Sequence, residues 1–338
     1  MAKRVSALLL ALLLLTAGCG TSPKPAPSAA PEVTSTPAVT ATPEPTATPE
    51  PTPTATPEPM FTNPLTGEQT YTDYSQTRPV AIMVENNHWD DGTLIAQGGL
   101  SQEDIVYEMQ VESITRNMFL FMDTDGLNNV FPIRSARSYF VSAALRYDAI
   151  FAHCGKSGEG LEFADTMLVN YTDADDIEVH EGSCGFRQYD APYFGAVHSM
   201  TTTGERLQSL FAQYGTRTTH RTDGYDYGLR FTEDAAPING EAANDIHVVF
   251  PAGKTTEFAY DAEKGGYTST QWNSAYTDGN TGESVVFENV LVLYSPTSTG
   301  IDEKNHSAIY TYDYQDAGYF FNGGYAEPIT WSLSLIHI

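Results

Sequence analysis

The apolar residues fall into two textures along the chain. Arg78-Pro-Val-Ala-Ile-Met-Val-Glu85 is an almost unbroken apolar run stopping at Glu85-Asn86-Asn87, the pattern of a buried strand. From Asp104 to Asp123 the pattern alternates: Tyr107, Met109 and Val111 share one face, and Glu108, Gln110 and Glu112 share the other. Phe119-Leu-Phe-Met122 continues as strand into a turn at Asp123-Thr-Asp-Gly126. Asn129-Val-Phe-Pro-Ile133 reads as a short strand. Ser135 is placed to cap a helix over 136–147, where Phe140, Ala143, Ala144 and Tyr147 recur at helical spacing. Ala149-Ile-Phe-Ala-His153 is the next strand. Strand, helix and strand in about 25 residues predict a βαβ unit with locally parallel sheet. Two more helices are expected over 158–167 and 204–214.

After about Glu233 the texture becomes that of a β domain with a curled sheet. Short strands are expected at Ile246-His-Val-Val-Phe250, Phe258-Ala-Tyr260, Val285-Val-Phe287, Val290-Leu-Val-Leu-Tyr294 and Ala308-Ile-Tyr-Thr-Tyr312. Turns at Gly265-Gly266, Asp278-Gly-Asn-Thr-Gly282 and Asn322-Gly-Gly324 separate them. The fold class is therefore α+β or α/β: a mixed N-terminal domain with a βαβ unit, then a mainly β domain.

The N-terminus adds an address. Met1-Ala-Lys-Arg4 precedes an apolar run from Val5 to Ala17 and then Gly18-Cys19. This is a secretion signal, too short for the roughly 20 residues that span a bilayer. Small residues before Cys19 form a lipobox, with Thr16 where Leu is commoner, so Cys19 is the expected lipidation site and acyl chains the membrane anchor. Thr21 to Pro59 is Pro, Thr, Ala and Glu, with Ala-Thr-Pro-Glu-Pro recurring at Ala41, Ala47 and Ala55. Such a segment lacks the apolar bulk to fold, and as polyproline II it reaches on the order of 100 Å. The expected plan is signal and lipobox over 1–19, stalk over 20–60, α/β domain over 61–232 and β-rich domain over 233–332. Leu333-Ser-Leu-Ile-His-Ile338 is what one frame of a common transposon-end adapter encodes, so 333–338 are read as artefact and the β domain as truncated.

Composition narrows the partners. The formal net charge is −26, which argues against nucleic acid and against a surface drawn to anionic lipid. The expected partners are the membrane, through the lipid anchor, and a cell-wall or other envelope component. Apart from Cys19, only Cys154 and Cys184 remain, and an extracytoplasmic setting leaves a disulfide or two buried thiols equally open.

Candidate chemistry gathers in the βαβ unit. Arg134 closes a strand and Arg137 stands in the first helical turn, where a cation opposes the helix dipole unless an anion sits there too. His153 ends the adjacent strand, on the rim where parallel sheets bind ligands. Arg134, Arg137 and His153, with Arg116 and His198, are the candidate anion-binding set. The alternative is internal pairing of the arginines with Glu108, Glu112 or Asp148. Glu108 and Glu112, four residues apart, are candidate acid and base, with His153 assisting. No cofactor is expected. His153, His198, Cys154 and Cys184 lack close metal-ligand spacing, so no metal site is assigned. Gly155-Lys156-Ser157 is not a phosphate loop, since Ile150 stands where the first Gly belongs.

Asn63-Pro-Leu-Thr-Gly67, Gly99-Leu-Ser-Gln-Glu-Asp-Ile-Val-Tyr-Glu108, Val111-Glu-Ser-Ile-Thr-Arg116, Pro132-Ile-Arg-Ser-Ala-Arg-Ser-Tyr-Phe-Val141 and Tyr147-Asp-Ala-Ile-Phe-Ala-His-Cys-Gly155 resemble the YerB family of bacterial lipoproteins. So does Ala196-Val-His-Ser199. The likeness is best over about 63–215, and Ile-Arg-Ser-Ala-Arg is its most specific element. It implies a two-domain lipoprotein from Gram-positive bacteria, with a domain of unknown function and no assigned activity. The first expectation is a surface protein binding an anionic envelope ligand. The alternatives are a glycan-cleaving envelope hydrolase or a surface scaffold, so whether the chain is an enzyme stays open.

Overall fold

A computed structural model describes residues 61–156, 176–188, 198–232, 236–300, 306–311 and 314–333. The lipobox at Cys19, the stalk, the helix expected over 158–167 and residues 334–338 lie outside them. The first sheet is mixed. Its strands are β1 (Val80–Asn86), β2 (Ile105–Val111), β3 (Ile114–Phe121), β4 (Ile150–His153) and β5 (Asp176–Glu178), in the order β2-β3-β1-β4-β5. β3 runs antiparallel to β1 and β2, whereas β4 runs parallel to β1 and to β5.

Alternation along β1 and β3 supplies both faces of this sheet. Ala81, Met83, Met118 and Leu120 pack against Tyr139, Phe140, Ala143 and Ala144 of α1 (Ser138–Leu145). Ile82, Val84, Phe119 and Phe121 pack against Leu207, Leu210 and Phe211 of α2 (Gly204–Tyr214). Fully burying one such aliphatic or Phe side chain stabilises by about 1.5–3 kcal/mol. α2 begins where the Thr203 side chain accepts from the Arg206 N–H and ends at Gly215, whose φ of 65° suits the left-handed cap.

The βαβ unit differs from the one expected. Asn129–Ile133 is not a strand of this sheet: it forms single antiparallel bridges, Val130 with Thr202, Phe131 with Gly98 and Ile133 with Val84. The strand parallel to β4 is β1, much earlier in the chain. Nor does Ser135 cap α1. The Arg134 carbonyl accepts from the Cys154 N–H and the Ala136 N–H donates to the Gly155 carbonyl, so this stretch stays extended beside 154–156. Arg137 becomes the N-cap, with extended backbone and no side-chain cap.

Among the described later residues there are two larger antiparallel sheets and a two-stranded one, Thr297–Ser298 with Ala308–Ile309, rather than one curled sheet. β6 (Asp245–Val249), β7 (Thr255–Asp261) and β8 (Gly266–Gln271) make a meander, joined at β8 by Ser274–Ala275 and Val286–Phe287. β9 (Asn289–Leu293), β10 (Tyr314–Asn322) and β11 (Tyr325–Leu333) form the second, with Glu241–Ala242 at its edge. Ile246, Tyr267, Val290 and Phe321 form their shared core.

Candidate functional site

The sheet end where β1 stops carries charge on both faces. Consecutive strand residues point to opposite sides, so Glu85 and Asn86 leave β1 in opposite directions. On the α1 side, Glu85 is fully buried and lies opposite Arg116 in the β1–β3 register. Its Oε2 takes His198 Nδ1 at 2.5 Å and Arg134 Nη1 at 3.6 Å. Arg137 donates from Nε (3.1 Å) and Nη2 (2.8 Å) to Glu112 Oε1, and from Nη1 to the Ala136 carbonyl (2.9 Å). Arg116 donates from Nη1 to the Ser135 carbonyl at 2.8 Å. The Trp89 ring meets the His198 ring edge-on at 5.2 Å.

The structure thus gathers four of the five expected anion-binding residues: Arg116, Arg134, Arg137 and His198. Three guanidiniums and two imidazoles, His198 and His306, surround two carboxylates. Burial pushes the Arg116 guanidinium down to about 9, the charges of Arg137 and Arg134 push the same way, and Glu112 and Glu85 oppose them. Arg116 and Arg137 are buried, whereas Arg134 and His198 stay half-buried and reach the surface.

His153 does not join them. β5 runs parallel to β4 with Glu178 in register with His153, so acids rather than arginines surround the ring. His153 Nε2 meets Asp176 Oδ1 at 2.6 Å, and Nδ1 meets the Gly155 carbonyl at 2.8 Å. With both ring nitrogens engaged, His153 has none to offer a substrate. Burial raises the Asp176 carboxyl, but His153 and Lys156 outweigh it, leaving it below the usual carboxylate range.

On the opposite face Asn86 enters a buried polar cluster. Its Nδ2 donates to Glu108 Oε1 (3.0 Å) and Gln271 Oε1 (3.2 Å). Lys254 Nζ donates to Glu108, Thr256 and Gln271. Thr115 donates to Glu108 Oε1 (2.7 Å) and Thr256 to Oε2 (2.8 Å). Lys254 is 3 % exposed and burial pushes its ammonium down, against Glu108. Asn117, Gln97 and Tyr276 extend the network. The two candidate catalytic carboxylates are therefore divided: Glu108 holds Lys254 on one face, and Glu112, in the turn after β2, holds Arg137 on the other.

Glu85 and Lys254 were not among the expected residues. Glu85 had a signal, a carboxylate ending an apolar strand, while Lys254 meets Glu108 across 146 positions and had none. Asp148 pairs elsewhere, with Arg217 (2.8 and 2.9 Å) and His220 (2.8 Å), pinning 217–220 against the end of α1. Cys154 and Cys184 are free thiols, both raised chiefly by burial.

Two family models match the chain in tandem and place it in a two-part family. Its N-terminal domain model, described as a protein of unknown function (DUF3048), matches residues 65–217, and its C-terminal domain model matches 246–335. The chain belongs to this YerB-like family, as the quoted motifs implied. It is 31 % identical over 234 residues to the YerB protein of Bacillus subtilis (strain 168), whose name classes it with lipoproteins. That alignment covers 68 % of this chain and 66 % of YerB, just under two thirds of the relative's length. The crystal structure of Bacillus subtilis YerB aligns with a TM-score of 0.65 and 25 % identity, over 81 % of this chain and 87 % of that one. Among the described residues no helix is long and apolar enough to cross a membrane.

Proposed function

We propose that this chain is a lipoprotein tethered through Cys19 to the outer face of the cytoplasmic membrane, binding an anionic envelope component at the arginine cluster. The tether rests on the lipobox and on the lipoprotein name of YerB. The binding reading rests on one observation. Arg116 is buried beside Arg134 and Arg137, and the two nearby carboxylates leave its guanidinium still pushed down to about 9. Burial is the larger cause and the neighbouring arginines add to it; in a chain of net charge −26 an incoming anion would offset both, approached from the half-exposed side of Arg134 and His198. The glycan-cleaving alternative loses ground because Glu108 and Glu112 each hold a cation on opposite sides of the sheet.

The test is a thermal-shift titration of the full chain with inorganic phosphate and with solubilised wall fragments, repeated with Arg134→Ala. Stabilisation of the wild type that falls at least about fivefold in apparent affinity in the variant, one lost charge-assisted contact, is the expected result. Equal stabilisation of both proteins overturns the site.

A further inference from the structure

Away from the arginine cluster, the two larger later sheets end in edges of different chemistry. β6 is the outer strand of the first and β9 of the second. In an antiparallel ladder the N–H and C=O of every other residue point away from the neighbouring strand. The Phe250 N–H donates to the Lys254 carbonyl, which fixes the phase of β6 on β7, so the outward groups there belong to Asp245, His247 and Val249. The Tyr294 N–H donates to the Ala317 carbonyl, which does the same for β9 on β10, so the outward groups belong to Asn289, Leu291 and Leu293. Among the described residues no strand lies beyond β9, and no hydrogen bond reaches those outward groups.

An open ladder templates pairing with another chain, and charges or prolines normally block it. β6 has that protection: Asp245 and His247 hold outward positions, and Pro251 follows. The other edge of the second sheet is only two residues long and holds Glu241. β9 has neither device. Asn289-Val-Leu-Val-Leu-Tyr294 contains no charge and no proline. Leu291 is 57 % exposed, and Leu293 and Tyr294 are exposed beside it. Leu291 and Leu293 stand on the face away from the Val290–Phe321 core, where Leu293 and Ile329 meet above Gly318.

The edge suits its own copy. Two chains of net charge −26 repel, and this uncharged strand is where their backbones approach at least cost. Antiparallel pairing about a two-fold axis at Leu291 sets Leu291 opposite Leu291, and Asn289 opposite Leu293 of the second copy. All the outward groups are then used. Glu288 falls opposite Tyr294 rather than another carboxylate. A charged partner peptide finds no counter-charge on the strand.

We propose that β9 pairs antiparallel with β9 of a second copy, joining the two sheets into one. Five residues a side bury less than the roughly 1,200 Å² of a standard interface, so the dimer is reversible, with Kd about 10–100 µM. The test is sedimentation equilibrium of the full chain at concentrations bracketing that range, with a monomer–dimer equilibrium expected. Leu291→Lys places like charges opposite each other at the axis and is expected to weaken the dimer at least about tenfold. Val249→Lys, at the exposed end of β6, is expected to leave it unchanged. Unchanged melting shows that these exposed variants fold, and Leu293→Lys, which weakens the dimer in the same direction, serves if Leu291→Lys melts early. A chain that stays monomeric throughout overturns the proposal and leaves the edge to an extended segment of another protein. A dimer that survives both leucine variants, or that Val249→Lys abolishes, overturns it too.

Discussion

The two faces of the first sheet end in different ways, though they share β1 and β3. On the α2 side, Asn86, Asn117 and Glu108 are sealed beneath Lys254, Gln271 and Tyr276 from the later strands. Most polar atoms there find neutral amide or hydroxyl partners, and one cation meets one carboxylate. On the α1 side the later chain returns with less: His306 lies 4.0 Å from Glu112 and Ile309 packs on the α1 core. Three guanidiniums gather around Glu85 and Glu112, and Arg134 and His198 stay half open to solvent. The same register has thus produced a structural seam on one side and a cationic rim on the other. What separates them is how completely the second half of the chain covers the strand end: Lys254, Gln271 and Tyr276 bury one side, whereas on the other Arg134 and His198 stay partly exposed.

The comparison breaks most sharply at Lys254. Lys254→Met leaves Glu108 buried without its cation, and removing one partner of such a pair costs roughly 3–5 kcal/mol. Urea denaturation is expected to show that loss, and Lys254→Met combined with Glu108→Leu is expected to recover much of it. An unchanged midpoint in the single variant means that the seam is not closed. Glu103 comes next. It lies near Tyr276 and Asp278, and burial raises its carboxyl well above the usual range. A carboxyl raised in the fold favours folding while protonated and loses that advantage as pH climbs above its unfolded value. Glu103→Gln is therefore expected to stabilise by about 1–2 kcal/mol at pH 7 and by nothing below about pH 4, read from melts across that range. A gain independent of pH contradicts the assignment. The smallest effect is on the open side. Arg134→Ala removes a 3.6 Å contact from the fully buried Glu85, which keeps its 2.5 Å bond to His198, so a loss of about 1 kcal/mol is expected while anion affinity drops. A large fall in stability would make that rim a structural element like its opposite face.

Legibility in the sequence follows from how local each feature is. β1, β2 and β3, α2 and β4 stand out because their apolar periods are self-contained. β8 does not: Gly266-Tyr-Thr-Ser-Thr-Gln271 holds one large apolar residue, and Ser269 and Gln271 are buried as polar groups. The Asn322-Gly-Gly324 turn was readable, but the flanking β10 and β11 went unassigned, their aromatic and polar residues mixed over both faces. At the site, Arg134 and Arg137 announced themselves beside one predicted helix start, and Arg116 by standing four residues beyond Glu112. His153 misled, because the acids that claim it arrive on β5, 23 positions on at Asp176. Pairing of Arg137 with Glu112 was among the readings left open, whereas the partnership of Arg134 and His198 with Glu85 depends on strand register that local periodicity does not carry.

The seam at Lys254 also bears on how this protein can be dissected. Dividing the chain between Thr232 and Glu241 is the obvious choice, for one domain model ends at 217 and the other begins at 246. Such a cut strips the early half of the lysine, glutamine and tyrosine that roof Glu108 and Asn117, and it orphans the lysine on the late half. Fragments cut there are therefore expected to fold better when expressed together than apart, since Glu108 and Lys254 would each lose a buried partner.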